Sequence, residues 1–461
     1  MRRGEMTFFL MAVLLVAGAP FADSRLQEIP PPEVKVAPGS VLSTAWYCPA
    51  PSGQSIEGVM STTNLGPSPV ELRRWGIGDG RSSEFIRANV PGHRRSPIAL
   101  ADLKIANAAG LSETFGSATT SDLVVLDRSG GVSSSRCSVQ PWDKWYFASL
   151  STARGQNHHL IVANPFEEEA VIRVRIIGSE SDFVPARMRD LVVPELSQLS
   201  IFLSEYVPET ASFGVELTVT QGRVIASNFA DIRPRVGASG ISLDVGVRGP
   251  ASTWHFAGGE VPSDGEELLV LLNPTESEAL VKVVFQTDTQ QTSPPGLEEV
   301  SVPGGRQVTI KVADHLPRGT KHSTSISVTN DEKIVAERHT TVAGGGVEKV
   351  FGVSDASVRW ALSVGSTAGG SDSLSIMNPD RDGALVRIAL VGAEGESAPP
   401  ELSSIRVAPG LRTSVDLSPF LAGGSWTAVV ESSSGKIVVE RHLVLGPPFN
   451  DFADSFGQAF E

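Results

Sequence analysis

The stretch Val192–Leu203, VVPELSQLSIFL, closes one β-branched run, turns at a proline and opens a second run. The chain repeats the phrase as SVPGGRQVTIKV from Ser301, as VAPGLRTSVDL from Val407 and, more loosely, as NVPGHRRSPIAL from Asn89. Proline cannot donate to a ladder, so Pro91, Pro194, Pro303 and Pro409 mark strand ends or edges. Gly304, Gly305 and Gly410 then permit a tight turn. The phrase predicts strand, turn and strand, four times over.

Three further anchors recur in the same order. Each unit opens on an aromatic cluster at Trp46, Trp145, Trp254 and Trp360, at intervals of 99, 109 and 106 residues. Next come Asn164-Pro165, Asn273-Pro274 and Asn378-Pro379, with Asn64 alone in the first copy. A late strand follows around Val224, Ile334 and Ile437. Between anchors the apolar residues alternate. Ala170, Ile172, Val174 and Ile176 share one face, with Arg173 and Arg175 opposite. Period two predicts a sheet with one buried face. About seven short strands per unit is the arithmetic of a two-sheet sandwich. A propeller blade needs only four.

The expected fold is therefore all-β, with four tandem immunoglobulin-like or fibronectin-like β-sandwich units. The boundaries are placed at 36–140, 141–248, 249–350 and 351–449, with 450–461 as a C-terminal tail. Short linkers predict a stiff row, although the units could also close on themselves. The first unit diverges most. It carries both cysteines, an extra polar loop at 76–84 and a weak helix candidate at 103–115, which makes it the expected place for a specific contact.

The 461-residue chain has a net charge of -14, which argues against nucleic acid as a partner. Its start, MRRGE, leads into TFFLMAVLLVAGAPFA, a positive segment followed by an apolar one. Residues 1–24 are read as a signal peptide, with Ala22 and Ser24 at the processing site, or as a retained membrane anchor. Residues 25–35 form a Pro-rich spacer. Either way the body is expected to be extracytoplasmic, secreted or anchored, with membrane contact through the N-terminal segment only. In an oxidising compartment Cys48 and Cys137 are expected to form a disulfide.

No phosphate loop, GxGxxG or nucleophile elbow is present. Glu337-Arg338-His339 recurs as Glu440-Arg441-His442. Glu and His on one strand face could act as a general acid–base pair. Duplication of the triplet favours instead a charge-paired, exposed edge. Asn378–Gly383 imitates the opening of a calcium loop but lacks the closing glutamate. His158-His159 point to opposite faces of a strand and make a poor chelating pair. Asp264, Glu266 and Glu267 read as a solvated hairpin tip, and Gly344–Gly346 as a hinge between units three and four. No catalytic, cofactor-binding or metal residue is assigned, and no cofactor is expected.

The W-x-F … Asn-Pro-x-x-x-x-Ala-x-Val pattern, covering Trp46 to Val444, resembles an uncharacterised secreted or membrane-anchored actinobacterial family, a domain of unknown function. The resemblance implies an envelope location and carries over no catalytic residue. The expected function is a non-catalytic envelope scaffold, adaptor or adhesion-type protein that binds an envelope protein or a cell-surface glycan. The alternative is a glycan-binding array or a glycan-active hydrolase with its site at a unit junction. A glycan-binding array would expose the repeated tryptophans.

Overall fold

The computed structural model describes residues 43–116, 118–366, 370–421, 423–446 and 451–460. The expected signal or anchor and the spacer lie outside the described residues. Within them the chain forms strands and short 3-10 turns but no α-helix.

In the second unit the strands are Lys144–Leu150, Gln156–Asn164, Ala170–Ile177, Asp182–Phe183, Leu191–Val193, Ser197–Phe202, Phe213–Gln221, Ile225–Ile232 and Gly240–Val245. One antiparallel sheet orders Lys144–Leu150, Phe213–Gln221 and Ala170–Ile177, with the two shortest strands along its edge. The other orders Ser197–Phe202, Gln156–Asn164, Ile225–Ile232 and Gly240–Val245. The same order recurs over 43–136, 253–351 and 359–460. The chain is thus all-β, four β-sandwiches of two antiparallel sheets each. The alternation is the cause: Ala170, Ile172, Val174 and Ile176 are buried, whereas Arg173 is exposed. Each buried Val or Ile side chain contributes about 1.5–3 kcal/mol relative to exposure.

The repeated anchors bond to one another. Asn164 is buried, and its Nδ2 donates to the carbonyls of Glu168 at 2.8 Å, Val193 at 3.1 Å and Pro194 at 3.1 Å. Its Oδ1 accepts the Phe166 N–H at 3.1 Å. Asn64, Asn273 and Asn378 repeat the pattern on Val90, Val302 and Val407. One asparagine therefore closes its own turn and ties it to the Val-x-Pro phrase, satisfying backbone groups that a turn leaves unpaired. The four tryptophans are likewise buried. Trp145, Trp254 and Trp360 donate Nε1–H to the carbonyls of Val224, Ile334 and Ile437, joining the first anchor to the late strand. Trp46 donates instead to Thr119 Oγ1.

Three expectations change. Residues 451–460, read as part of a tail, hold two strands. Asp451–Phe456 pairs with Val438–Leu445, and Gln458–Phe460 with Arg359–Ser366. The period-two signal of DFADSF is too short to reveal this alone. Gly344–Gly346 turns between Val335–Val342 and Val347–Phe351, two paired strands of one sheet, so it is a hairpin within the third sandwich and no hinge. The helix candidate is a 3-10 turn, Leu100–Leu103, followed by the strand Ala109–Phe115.

The four sandwiches close into a ring. The last strand of each, Val132–Arg136, Gly240–Val245, Val347–Phe351 and Asp451–Phe456, packs on the next, and the fourth packs back on the first. Side chains bridge them. Ser133 Oγ accepts the Leu243 N–H at 2.8 Å, and Ser242 Oγ accepts the Lys349 N–H at 3.1 Å. Asp244 Oδ2 accepts the Phe351 N–H at 3.1 Å, and Asp451 Oδ2 accepts the Val132 N–H at 2.9 Å. Closure gives the last strand of each sandwich a neighbour on both sides, covering edges that the ends of an open row would leave bare. The expected Cys48–Cys137 disulfide is formed within the first sandwich.

Candidate functional site

Each junction of the ring is clamped by a residue from the repeated phrase. Arg95, Gln198, Gln307 and Arg412 lie opposite Thr63, Ala163, Leu272 and Met377, each one step before the turn asparagine. Gln198 reaches back to Ala50, accepting its N–H at 3.1 Å and donating to its carbonyl at 2.8 Å. Gln307 donates to the Ala148 carbonyl and accepts from Ser212 at 3.0 Å. Arg95 closes the ring onto the fourth sandwich through Thr427 at 2.6 Å, Ser425 at 2.9 Å and Ser363 at 3.0 Å. Asp122 neutralises it with a bidentate pair at 2.8 and 2.7 Å.

The duplicated triplets also lie in the junctions, not on an exposed edge. Glu337 is buried and accepts the N–H groups of Ala148 and Ser149, freed by the bulge in Lys144–Leu150. Glu440 accepts the Gly258 N–H at 2.7 Å. Burial pushes both carboxyls up, opposed by Lys349 at Glu337 and by Arg338 at Glu440. The arginines bind acids on the paired strand of their own sandwich: Arg441 to Asp372 at 2.7 Å, Arg338 to Glu267 at 3.8 Å. Glu267 is thus fully enclosed, bonded to His322 at 3.1 Å, and is no solvated hairpin tip. Only the contacts of a folded ring could reveal these pairings, because each partner lies 55 or more residues away.

Between the third and fourth sandwiches lies a cavity of about 500 Å³. Its wall includes Gly258-Gly259 and Thr340 on one side and Ser375, Arg412 and His442 on the other. Lys321 and Glu260, both more than half exposed, stand 3.9 Å apart at its rim. Asp454 bridges inward, bonded to His442 Nδ1 at 2.6 Å and Arg338 Nη2 at 2.8 Å. Burial would raise the Asp454 carboxyl, but His442 and Arg338 hold it below the ordinary carboxylate range. Against the opposing effect of burial, Asp454 raises His442. The arrangement is a buried, paired charge network facing solvent through His442, whose side chain is 42% exposed. Its members hold one another, and Glu440, the acid half of the less favoured acid–base reading, is bound by Arg338 and Gly258.

Asp451 also borders this cavity and lies where the four last strands meet. Gly131, Gly240 and Gly346 occupy its position in the other units, each preceding the Val or Ile that matches Phe452. A Cβ on Gly346 would fall 1.5 Å from Asp451 Oδ1, so the carboxyl fills space only glycine leaves. Burial pushes Asp451 up to about 7, opposed by the N–H groups of Val132 and Phe452.

The remaining candidates separate. His158 is buried against Asn228 and Lys349, while His159 stacks on Phe202. Asn378 is bound within its own turn, and Asp380 accepts the Lys436 N–H at 3.0 Å. Among the described residues no group of three or more His, Cys, Asp or Glu is arranged to hold a metal. No helix among them is long and apolar enough to cross a membrane. The buried anchor tryptophans offer no stacking faces to a glycan.

Among solved structures, the chain is similar to Thermotoga maritima 1070, at 15% identity over 23% of this chain and 96% of that one, with a TM-score of 0.21. It is similar to the Anabaena sensory rhodopsin transducer at 22% identity over 19% and 87%, with a TM-score of 0.17. A Streptomyces avermitilis alpha-L-rhamnosidase is 8% identical over 81% of this chain and 54% of that one, with a TM-score of 0.15. No curated protein matches. A family of unknown function, DUF5719, matches residues 99–361 and 353–439. The matched spans cover well over half of the sequence, and the chain belongs to that family.

Proposed function

We propose that the protein is a non-catalytic, extracytoplasmic scaffold or adaptor of an actinobacterial cell envelope, secreted or held by its N-terminal segment. Its partner is an envelope protein or a surface glycan. The observation that carries this reading is the use of the repeated residues. Turn asparagines, tryptophans, clamps and triplet glutamates all bond to framework groups within or between sandwiches. Such a chain builds a rigid platform and leaves inter-strand loops for contact. The Cys48–Cys137 bond fits an oxidising compartment.

Proximity crosslinking of the native protein in its own envelope tests the proposal. Retention of one envelope protein or polysaccharide by the intact ring is the expected result. A cytoplasmic location, or release of cleaved glycan by the purified chain, would overturn it. A second reading, a glycan site at a unit junction, draws on the cavity between the third and fourth sandwiches. Sandwiches host many functions, so the site and not the fold has to carry that reading.

A further inference from the structure

The ring supplies its own internal control. Three of the four clamp residues are satisfied by the sandwich they reach: Gln198 by Ala50, Gln307 by Ala148 and Ser212, and Arg95 by Asp122, Thr427, Ser425 and Ser363. Arg412 is the exception. Its Nη2 donates to Ser375 at 2.9 Å and to Ser414, both in its own sandwich. Among the described residues its Nε and Nη1 have no hydrogen-bond partner, although the residue is only 3% exposed. The nearest counter-charge, Asp288, stands 3.5 Å from Nη1 and is itself 64% exposed.

The cause lies in the third sandwich. Its first strand, Thr253–Phe256, is four residues long, against six to eight in the others, and gives way to Gly258-Gly259. Ala257 follows Trp254 as Ala148 follows Trp145, but its carbonyl accepts from Ser323 Oγ. The equivalent of the acceptor that Gln307 finds is thus already engaged within its own sandwich, and Arg412, which does not reach it, forms part of the wall of the cavity of about 500 Å³. The junction of the second and third sandwiches also holds a cavity, of about 310 Å³, but its clamp is satisfied. The opening is a repeated feature, and the unpaired guanidinium is particular to one of them.

A buried guanidinium with unpaired N–H groups calls for a charged planar acceptor, because leaving such donors unmade is costly and Arg pairs with carboxylates bidentately. The rest of the wall asks for something more than an anion. Glu260, Asp451 and Asp454 present acceptors, Ser373 and Ser375 present hydroxyls, and Phe452 presents an apolar face. A ligand with hydroxyl donors around a compact body meets both sets. The size suits one or two sugar rings, within the range of ordinary small-ligand pockets. We propose that the junction of the third and fourth sandwiches binds a small hydroxylated carboxylate, a sugar acid, with its carboxylate on Arg412 and its hydroxyls on the acids and serines of the wall.

The site goes beyond the scaffold reading and deepens the junction-site reading. Failure to bind tells against the site alone, since the scaffold reading is tested by what the intact ring retains in the envelope. Titration calorimetry of the purified full chain with D-glucuronate, D-glucose and inorganic phosphate is the test. Glucuronate binds, glucose binds at least about tenfold more weakly, and R412Q loses about tenfold or more, the worth of one charge-assisted pair. Hydrogen exchange on the wild type covers the case in which R412Q does not fold. Glucuronate then protects Gly258-Gly259 and Ser373–Ser375 and leaves Ala50 and Gln198 unchanged. Equal binding of glucose overturns the role of the carboxylate, and equal binding of phosphate overturns the sugar body. No heat and no protection with glucuronate, or an R412Q variant that binds as the wild type does, overturns the site.

Discussion

Asp451 gives the ring a defined pH response. It sits among the four last strands with its carboxyl raised from 3.8 to about 7, chiefly by burial. A raised acid binds its proton more tightly in the folded chain than in the unfolded one. Its stabilisation is complete below the unfolded pKa and is lost as pH rises through the folded value. Between about pH 5 and pH 7 the unfolded carboxyl is already ionised while the folded one keeps its proton. At about 1.4 kcal/mol per pH unit, roughly 3 kcal/mol of stability is lost over that window. Asp451→Asn removes this titration but keeps an oxygen for the Val132 N–H. Urea unfolding of both proteins at about pH 5 and about pH 8 isolates the effect. Constant differences of shape cancel when the change with pH is compared. The wild type should lose about 2–3 kcal/mol more than the variant across the range. Buried acids elsewhere, such as Asp244, raised to about 6, slope in the same direction in both proteins. Parallel pH profiles for the two proteins would refute the assignment.

Other consequences follow from the same contacts. Arg95→Met strands Asp122 in a buried site and should cost about 3–5 kcal/mol in denaturant unfolding, with R95M/D122N recovering a good part. Equal midpoints for wild type and R95M would contradict the clamp. Asn273→Ala leaves the Val302 and Ser277 carbonyls and the Thr275 N–H without their buried partner and should cost about 2–4 kcal/mol, where a surface turn would cost under 0.5. Replacing Cys48 and Cys137 by serine opens a link spanning 89 residues and should lower stability by about 2–4 kcal/mol, with no such loss on reduction of the serine variant.

Much of the fold was legible because its signals are local. A buried face writes itself as alternation at Ala170–Ile176, and an asparagine that closes its own turn must stand beside it, as at Asn164. The tie from Asn164 to Val193 spans 29 residues, as do its counterparts in the third and fourth units, and 26 in the first, which is why two anchors recur together. The junctions were not legible for the opposite reason. Arg95 and Thr427 are 332 residues apart, and nothing in NVPGHRRSPIAL distinguishes a clamp that closes a ring from one that ends a row. The Glu-Arg-His triplets read as exposed because charge ordinarily is. Their burial depends on Glu267, Asp372 and a backbone bulge in the preceding sandwich. Arg412 carried no sequence signal, because what sets it apart is that its side chain bonds within its own sandwich and faces a cavity.

The central claim is closure. Thr63 and Thr427, 364 residues apart in sequence, are buried with their Oγ1 atoms 2.7 Å apart across the junction of the first and fourth sandwiches. The most direct measurement is a thiol count and non-reducing electrophoresis of T63C/T427C, each single variant serving as control. A closed ring predicts an intramolecular bond between the new cysteines, no free thiol after denaturation and faster migration than the reduced chain. Two free thiols in the folded, oxidised protein, with the Cys48–Cys137 bond intact, would mean an open row and would contradict the account.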